Sequence, residues 1–246
     1  MKRTALISGG TSGLGLQVVK DLTNIGYKVY SISRKQERIN QLREELSDVT
    51  FFCGEISDIK VLNKAFDVIS KENNELNVLV NNAGIIYPGG VEELEVDKWN
   101  KMFEVNVNGI FSAVKVFLPL LKKAGNASIV NISSISSSMT GSSIAYSACK
   151  AAVDMMTKSM AKELALYSIR VNSVNPGIIS TGFQVHNDLM DENKYLEFLN
   201  SVSETYPLGI GDAKDISNLV MFLISEQAKW ITGSNYIIDG GSSVNI

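Results

Sequence analysis

Histidine is almost missing from this chain: His186 is the only one in 246 residues. A Ser-His-Asp hydrolase would have to route its proton through that residue. It lies in a loop-like stretch far down the chain, which argues against such an enzyme. Cysteine is nearly as scarce. Cys53 and Cys149 make no disulfide framework, and no metal-ligand spacing exists. Cys149 has no resolving thiol nearby and reads as a small helix residue. Excess charge is also lacking. The formal net charge is -3, which leaves no basic footprint for nucleic acid or an anionic membrane. After Met1-Lys2-Arg3 only a short apolar run precedes the glycines, too short for a signal-peptide core, and no run approaches a membrane span. The expectation is a cytoplasmic protein, so the patterns at Asn126 and Asn131 carry no weight as glycosylation sites. Linkers, low-complexity tracts and internal repeats are absent. With 45% apolar and 20% charged residues, one large α/β domain over 1–246 is expected.

One stretch carries chemistry. A strand-like run, Ser128 to Ile132, ends in the pair Ser133-Ser134, and about a dozen residues later comes Tyr146-Ser-Ala-Cys-Lys150. If Tyr146 opens a helix, Lys150 lies one turn on, on the same face. Free tyrosine titrates near about 10. An ammonium a few ångströms away favours the phenolate and lowers that value, giving an acid/base group suited to neutral pH. The hydroxyl of Ser133 or Ser134 would hold a substrate oxygen beside the phenol.

The start of the chain supplies a partner for such a site. Thr4 to Ser8 reads as a short buried strand, then Gly9-Gly10-Thr11-Ser12-Gly13-Leu14-Gly15, then a helix whose Leu14, Val18, Val19 and Leu22 fall at helical spacing. Strand, glycine-rich turn and helix form the context of a dinucleotide-binding loop. Gly9 allows the tight turn, Gly13 admits a pyrophosphate, and Gly15 lets the helix pack on the strand. Thr11 and Ser12 add hydroxyl donors at a helix N-terminus that favours anions. Lys28 to Ile32 is the second strand, followed by Ser33-Arg34-Lys35. In NAD-binding units an acid stands there for the ribose hydroxyls, whereas an arginine accommodates a 2′-phosphate. Ser33 and Arg34 therefore favour NADP(H) over NAD(H).

Val49 to Cys53 reads as the third strand and Asn77 to Val80 as the fourth, ending in Asn81-Asn82-Ala83-Gly84. Asp58 is a candidate helix cap. A long helix is expected from Asp97 to Lys123 with Asn106 inside it, and another from Tyr146 to Leu166, apolar on more than one face as at a subunit contact. Ile169 to Val174 is strand six, closed by Asn175-Pro176-Gly177, and Tyr236 to Ile238 is the last strand. Between them, 178–207 reads as loop and short helices, a substrate lid. Asp212 or Asp215 opens the helix that follows. The alternation predicts a doubly wound, Rossmann-type parallel sheet of about seven strands with helices on both faces and a site at the strands' carboxyl ends.

The order of Gly9-xxx-Gly13-x-Gly15, Asn81-Asn-Ala-Gly84, Asn106, the serine pair, Tyr146-xxx-Lys150, Asn175-Pro-Gly177, Thr181 and Asp239-Gly-Gly241 resembles the short-chain dehydrogenase/reductase family in its single-domain branch, over essentially the whole length. The chain is similar to 3-oxoacyl-carrier-protein reductases and related ketoreductases. The resemblance implies a proton exchanged between Tyr146 and the substrate oxygen. Lys150 would bind the nicotinamide ribose and depress the Tyr146 pKa, Ser134 would hydrogen-bond the substrate carbonyl, and Asn106 would hold a water linking Lys150 to solvent. It also implies cofactor contacts from Leu14, Ile56, Asn82, Ala83, Gly84, Pro176, Gly177, Ile179 and Thr181. Glu55 stands where the family usually has Asp near the adenine. Counting from the strand end selects Ser134, and counting back from Tyr146 selects Ser133. The strand count is preferred because the intervening loop can absorb a deletion.

The expected reaction is NADP(H)-dependent hydride transfer between nicotinamide and a ketone or secondary alcohol with an apolar body. A 3-oxoacyl-carrier-protein reductase needs cations near the entrance, for which Lys122 and Lys123 are candidates, although Leu166-Tyr167-Ser168 offers none. A non-catalytic nucleotide-sensing regulator would have been free to lose Tyr146 or Lys150, and both are kept. The two long helices resemble the family's dimer-forming pair, and Asp239 to Ile246 resembles a tail at a second interface. Together they imply a homotetramer.

Overall fold

The structure, a computed structural model, describes residues 2–141, 143–187 and 189–244. Parts of three sequence-based expectations lie outside that set: Ser142 in the stretch between the serine pair and Tyr146, Asp188 in the expected lid, and the last two residues of the tail. Chain order runs β1 (Thr4–Ser8), α1 (Gly13–Asn24), β2 (Lys28–Ser33), α2 (Gln36–Glu45), β3 (Thr50–Cys53), α3 (Ile59–Glu72) and β4 (Val78–Asn81). It continues with α4 (Val96–Phe103), α5 (Gly109–Ala124), β5 (Ser128–Ile132), α6 (Ile144–Leu164), β6 (Arg170–Pro176) and β7 (Ile179–Ser180). The last elements are α7 (Phe183–His186), α8 (Glu192–Ser203), β8 (Gly211–Asp212), α9 (Ala213–Ile224) and β9 (Asn235–Ile238).

Seven strands form one sheet in the order β3-β2-β1-β4-β5-β6-β9, every neighbouring pair parallel. This is the doubly wound, Rossmann-type α/β sheet. Its inner strands β2, β1, β4, β5 and β6 are buried on both faces, so they read as continuous apolar runs rather than alternating ones. Leu6, Leu79, Ile129 and Val171 point to the layer of α3, α5 and α6, whereas Ile7, Val80, Val130 and Val174 point to the layer of α1 and α9. The order reverses between β1 and β4, so the loops after Ser8 and Asn81 part there and leave a crevice at the carboxyl ends. Asp58 caps α3 by accepting from the Lys60 N–H at 2.8 Å. Asp212 and Asp215 share the start of α9 as a reciprocal capping box.

Four features depart from the sequence-based expectations. The helix expected over Asp97–Lys123 is α4 and α5 joined by a π-helical turn, Glu104–Asn108, with Asn106 in it. The helix expected to open at Tyr146 begins two residues earlier, because the buried Ser143 caps it and accepts from the Tyr146 N–H at 3.2 Å. β6 runs on through Pro176, which still pairs with β9. Ile179–Ser180 and Gly211–Asp212 pair as a separate two-stranded sheet. Length and composition alone would let Val96–Ala124 cross a membrane. Half of its most apolar stretch is buried in this fold, and Phe117, Leu120 and Leu121 are fully enclosed, as in a core helix.

Candidate active site

A cavity of about 900 Å³ runs along the carboxyl ends of β1, β4, β5 and β6. Its first wall is the glycine loop: Gly9, Thr11, Ser12, Gly13, Leu14 and Gly15 all line it. Gly9 and Gly13 have φ of +73° and +50°, a region that side chains rarely adopt. A Cβ on Gly13 would lie 3.1 Å from Thr181 across the cavity, and one on Gly15 would strike the Gly9 carbonyl. Gly15 therefore sets the closeness of α1 to β1. Overpacking of this kind costs about 1–3 kcal/mol, so Gly15→Ala is expected to lose about that much stability in chemical denaturation and to weaken nicotinamide-nucleotide binding in calorimetry.

The loop is braced from β4. Ser8 Oγ accepts the N–H groups of Asn82 and Ala83, both at 3.0 Å. Asn82 Nδ2 donates to the carbonyls of Ser8 and Gly9 at 3.0 and 3.2 Å. Asn82 thus shapes the loop with its amide while it, Ala83 and Gly84 line the cavity. At the far end of this wall stand Ser33, Arg34, Glu55 and Ile56. Lys35 and Arg38 line the same end, and Arg38 Nε also donates to the Thr11 carbonyl at 3.2 Å. Sequence reasoning missed Arg38, whose signal was its place one turn after Arg34. It also set aside His186, which ends α7 on the cavity wall. Burial holds its imidazole below the ordinary value, and the charges of Lys35 and Arg38 lower it further.

The opposite end holds the hydroxyls. Ser133 is buried, and its Oγ donates to the Lys150 carbonyl at 3.2 Å. Ser134 lines the cavity with Tyr146, accepts from the Ser136 N–H at 3.1 Å, and its hydroxyl pulls the Tyr146 phenol down against burial. Of the two serines, Ser134 is the one that faces Tyr146. The Tyr146 ring packs near Phe183 of α7, centroids 6.4 Å apart. Lys150 is buried, with Nζ donating to the Ile132 carbonyl at 2.7 Å and 5.3 Å from the centre of the Tyr146 ring.

The electrostatics differ from the expected lowering of Tyr146 by Lys150. Burial pushes the phenol above its ordinary value, Cys149 adds to that, and only the Ser134 hydrogen bond opposes it. Burial also draws the Lys150 ammonium down to about 8, against the pull of Cys149 and Asp154. In both groups desolvation outweighs the contacts that favour the charged form.

Asn106 does not line the cavity. Its fully buried amide accepts from the Ile85 N–H and donates to the Ile85 carbonyl, both at 2.8 Å. The side chain therefore helps to hold the cavity wall. Pro176, Gly177, Ile179 and Thr181 line the last side. Tyr195 of α8 pins that side, accepting from the N–H groups of Thr181 and Gly182 at 3.1 and 3.0 Å. The cations suggested for the entrance lie elsewhere. Lys122 and Lys123 end α5 near the start of the strands, Lys122 over the Tyr167 ring and Lys123 bonded to Asn74.

A dinucleotide-sized cleft at a switch point, with a tyrosine, a lysine and a serine at one end, defines a nicotinamide-dependent oxidoreductase acting on CH–OH or C=O groups. Comparison with known proteins places it more narrowly. A model described as short chain dehydrogenase matches residues 3–192, and the chain belongs to that family. It is 37% identical over 250 positions to the 2,5-dichloro-2,5-cyclohexadiene-1,4-diol dehydrogenase LinX of Sphingobium indicum, covering 99% of this chain and 97% of that one. It is 32% identical to the NADP-dependent (R)-specific alcohol dehydrogenase of Lentilactobacillus kefiri, over 97% and 96% of the two chains. Among solved structures, ElxO with NADP bound is 34% identical, with a TM-score of 0.90 and full coverage of both chains.

Proposed function

We propose that this chain is an NADP(H)-preferring reductase of ketones, or dehydrogenase of secondary alcohols, with Tyr146 as the acid/base. The observation that carries the reading is the convergence of Ser134, Tyr146 and Lys150 at one end of a cavity whose other end holds Arg34, Lys35 and Arg38. The residues fit the cofactor. The glycine loop leaves room where a Cβ would intrude, and the cations stand where a 2′-phosphate needs them. Bound nicotinamide supplies or accepts the hydride. The chain does the rest: Ser134 orients the substrate oxygen, Tyr146 moves the proton, and Lys150 holds the ribose hydroxyls. Asn106 fixes the wall at Ile85 and would hold a water that links Lys150 to solvent.

The substrate end is lined by Ile85, Ile86, Met139, Phe183, Leu189 and Met190, which suits an apolar body around the carbonyl. The segment 178–207 acts as the lid. Residues 1–246 form one cytoplasmic domain that assembles as a homotetramer. In favour of assembly, Phe111, Met155 and Tyr167 expose apolar surface on the α5–α6 side, and Trp230, Ile237 and Val244 near the tail.

Side-by-side calorimetric titration with NADPH and NADH tests the cofactor reading. NADPH is expected to bind the more tightly, and Arg34→Ala to lose roughly tenfold or more of NADPH affinity, the scale of a charge-assisted phosphate contact, with NADH little changed. Equal or tighter NADH binding in the wild type rejects the preference, and no binding of either rejects the oxidoreductase reading.

A further inference from the structure

Two side chains outside this machinery reach into it from behind. Asp154 stands one turn beyond Lys150 on α6, and the buried Asn175 stands near the end of β6. Asn175 Nδ2 lies 2.7 Å from Asp154 Oδ2, 3.2 Å from the Ser134 carbonyl and 3.0 Å from Ser137 Oγ, and shares its two protons among them. Ser173 Oγ lies 2.9 Å from Asn175 Oδ1 and 3.2 Å from Asp154 Oδ1.

This network allows one orientation of the Asn175 amide. Turned over, its oxygen would face a carboxylate and a carbonyl, two acceptors with no proton between them. The charge-assisted bond that the Asn175 amide donates to Asp154 is the strongest of the set and fixes the amide. The amide then holds the Ser134 peptide and Ser137, the two ends of the turn whose Ser136 N–H sets the Ser134 hydroxyl. That hydroxyl meets the Tyr146 phenol. Position matters steeply here, since a displacement of about 1 Å at a reacting group can cost about 10²-fold in rate.

We infer that Asp154 is a positioning residue for Ser134, acting through Asn175 across the α6–β6 contact. The inference rests on the reading that Ser134 orients the substrate oxygen beside Tyr146.

A double-mutant cycle with Ser134→Ala decides it. The first readout needs no substrate: the Cζ resonance of Tyr146 in protein carrying ¹³Cζ-tyrosine, assigned by its loss in Tyr146→Phe. Ser134→Ala is expected to shift that resonance, Asp154→Ala to shift it the same way, and the double variant to match Ser134→Ala alone. The second readout is NADPH-dependent reduction of cyclohexanone. Asp154→Ala is expected to lower kcat about tenfold in the wild type and less than about twofold on the Ser134→Ala background, with the NADPH Kd unchanged. Additive shifts, or a Tyr146 resonance indifferent to Ser134→Ala, overturn the inference. Asn175→Ala removes the middle link from the sheet side and gives the same cycle if Asp154→Ala does not fold. A wild type that reduces no ketone and binds no nucleotide counts against the proposed function, while the resonance cycle still decides the role of Asp154.

Discussion

Replacing Tyr146 with phenylalanine is expected to lower ketone reduction by about 10²–10⁴-fold, the range that positioned proton transfer contributes, while NADPH affinity stays within about threefold. The substitution keeps the ring and its packing near Phe183 and removes only the oxygen that Ser134 contacts. No neighbouring group can take over. Lys150 Nζ is committed to the Ile132 carbonyl, and His186 stands with Lys35 and Arg38. Burial also sets the pH behaviour. Because the phenol is held above its ordinary value, it stays protonated through the neutral range and is ready to donate. Reduction should then be nearly flat from about pH 6 to about pH 8, and alcohol oxidation, which needs the phenolate, should rise with pH. Steady-state rates in both directions across that range check this. Near-normal rates in Tyr146→Phe would remove the proton-transfer role.

The parts of the site that sequence made legible are those whose chemistry is local. A glycine turn between strand and helix states its own geometry, and Tyr146 and Lys150 share a helix face by spacing alone. The doubly wound parallel sheet of about seven strands followed from strand–helix alternation. What sequence left open depended on contacts between distant segments. The choice between Ser133 and Ser134 turns on one hydroxyl facing the Lys150 carbonyl and the other facing Tyr146, a difference of one residue at a strand end. The direction of the Tyr146 shift depends on how deeply the fold encloses the phenol, which a four-residue spacing cannot state. Asn106 had an unforeseen attachment, because the π-helical turn aims its amide at Ile85, 21 residues away in sequence. Asp154 carried no motif, Asn175 stood out only as the start of Asn175-Pro-Gly177, and only the packing of α6 on β6 brings the two together.

Replacing Lys150 with methionine is expected to abolish most turnover and, at neutral pH, to make the cofactor-free protein more stable. The folded chain draws this ammonium from 10.5 down to about 8. At about 1.4 kcal/mol per pH unit, that is roughly 3 kcal/mol against the folded state. Methionine is close in length and uncharged. It loses the bond from a charged donor to the Ile132 carbonyl, worth about 1.5–3 kcal/mol, so a net gain of at most about 1.5 kcal/mol remains. The gain should depend on pH in one direction. Below about pH 8 lysine is protonated in both states, and the full penalty applies to the wild type. Between about 8 and 10.5 the folded chain has released the proton and the unfolded chain still holds it. Rising pH therefore stabilises the wild type relative to Lys150→Met, and the difference closes towards pH 10.5. Parallel denaturation of the two proteins at a series of pH values measures it, since the other titrating groups cancel. A variant less stable than the wild type at neutral pH would mean that the bond to Ile132 and the pull of Asp154 outweigh desolvation. The expected result instead identifies a charge that folding alone disfavours, as the proposed contact of Lys150 with the nicotinamide ribose requires.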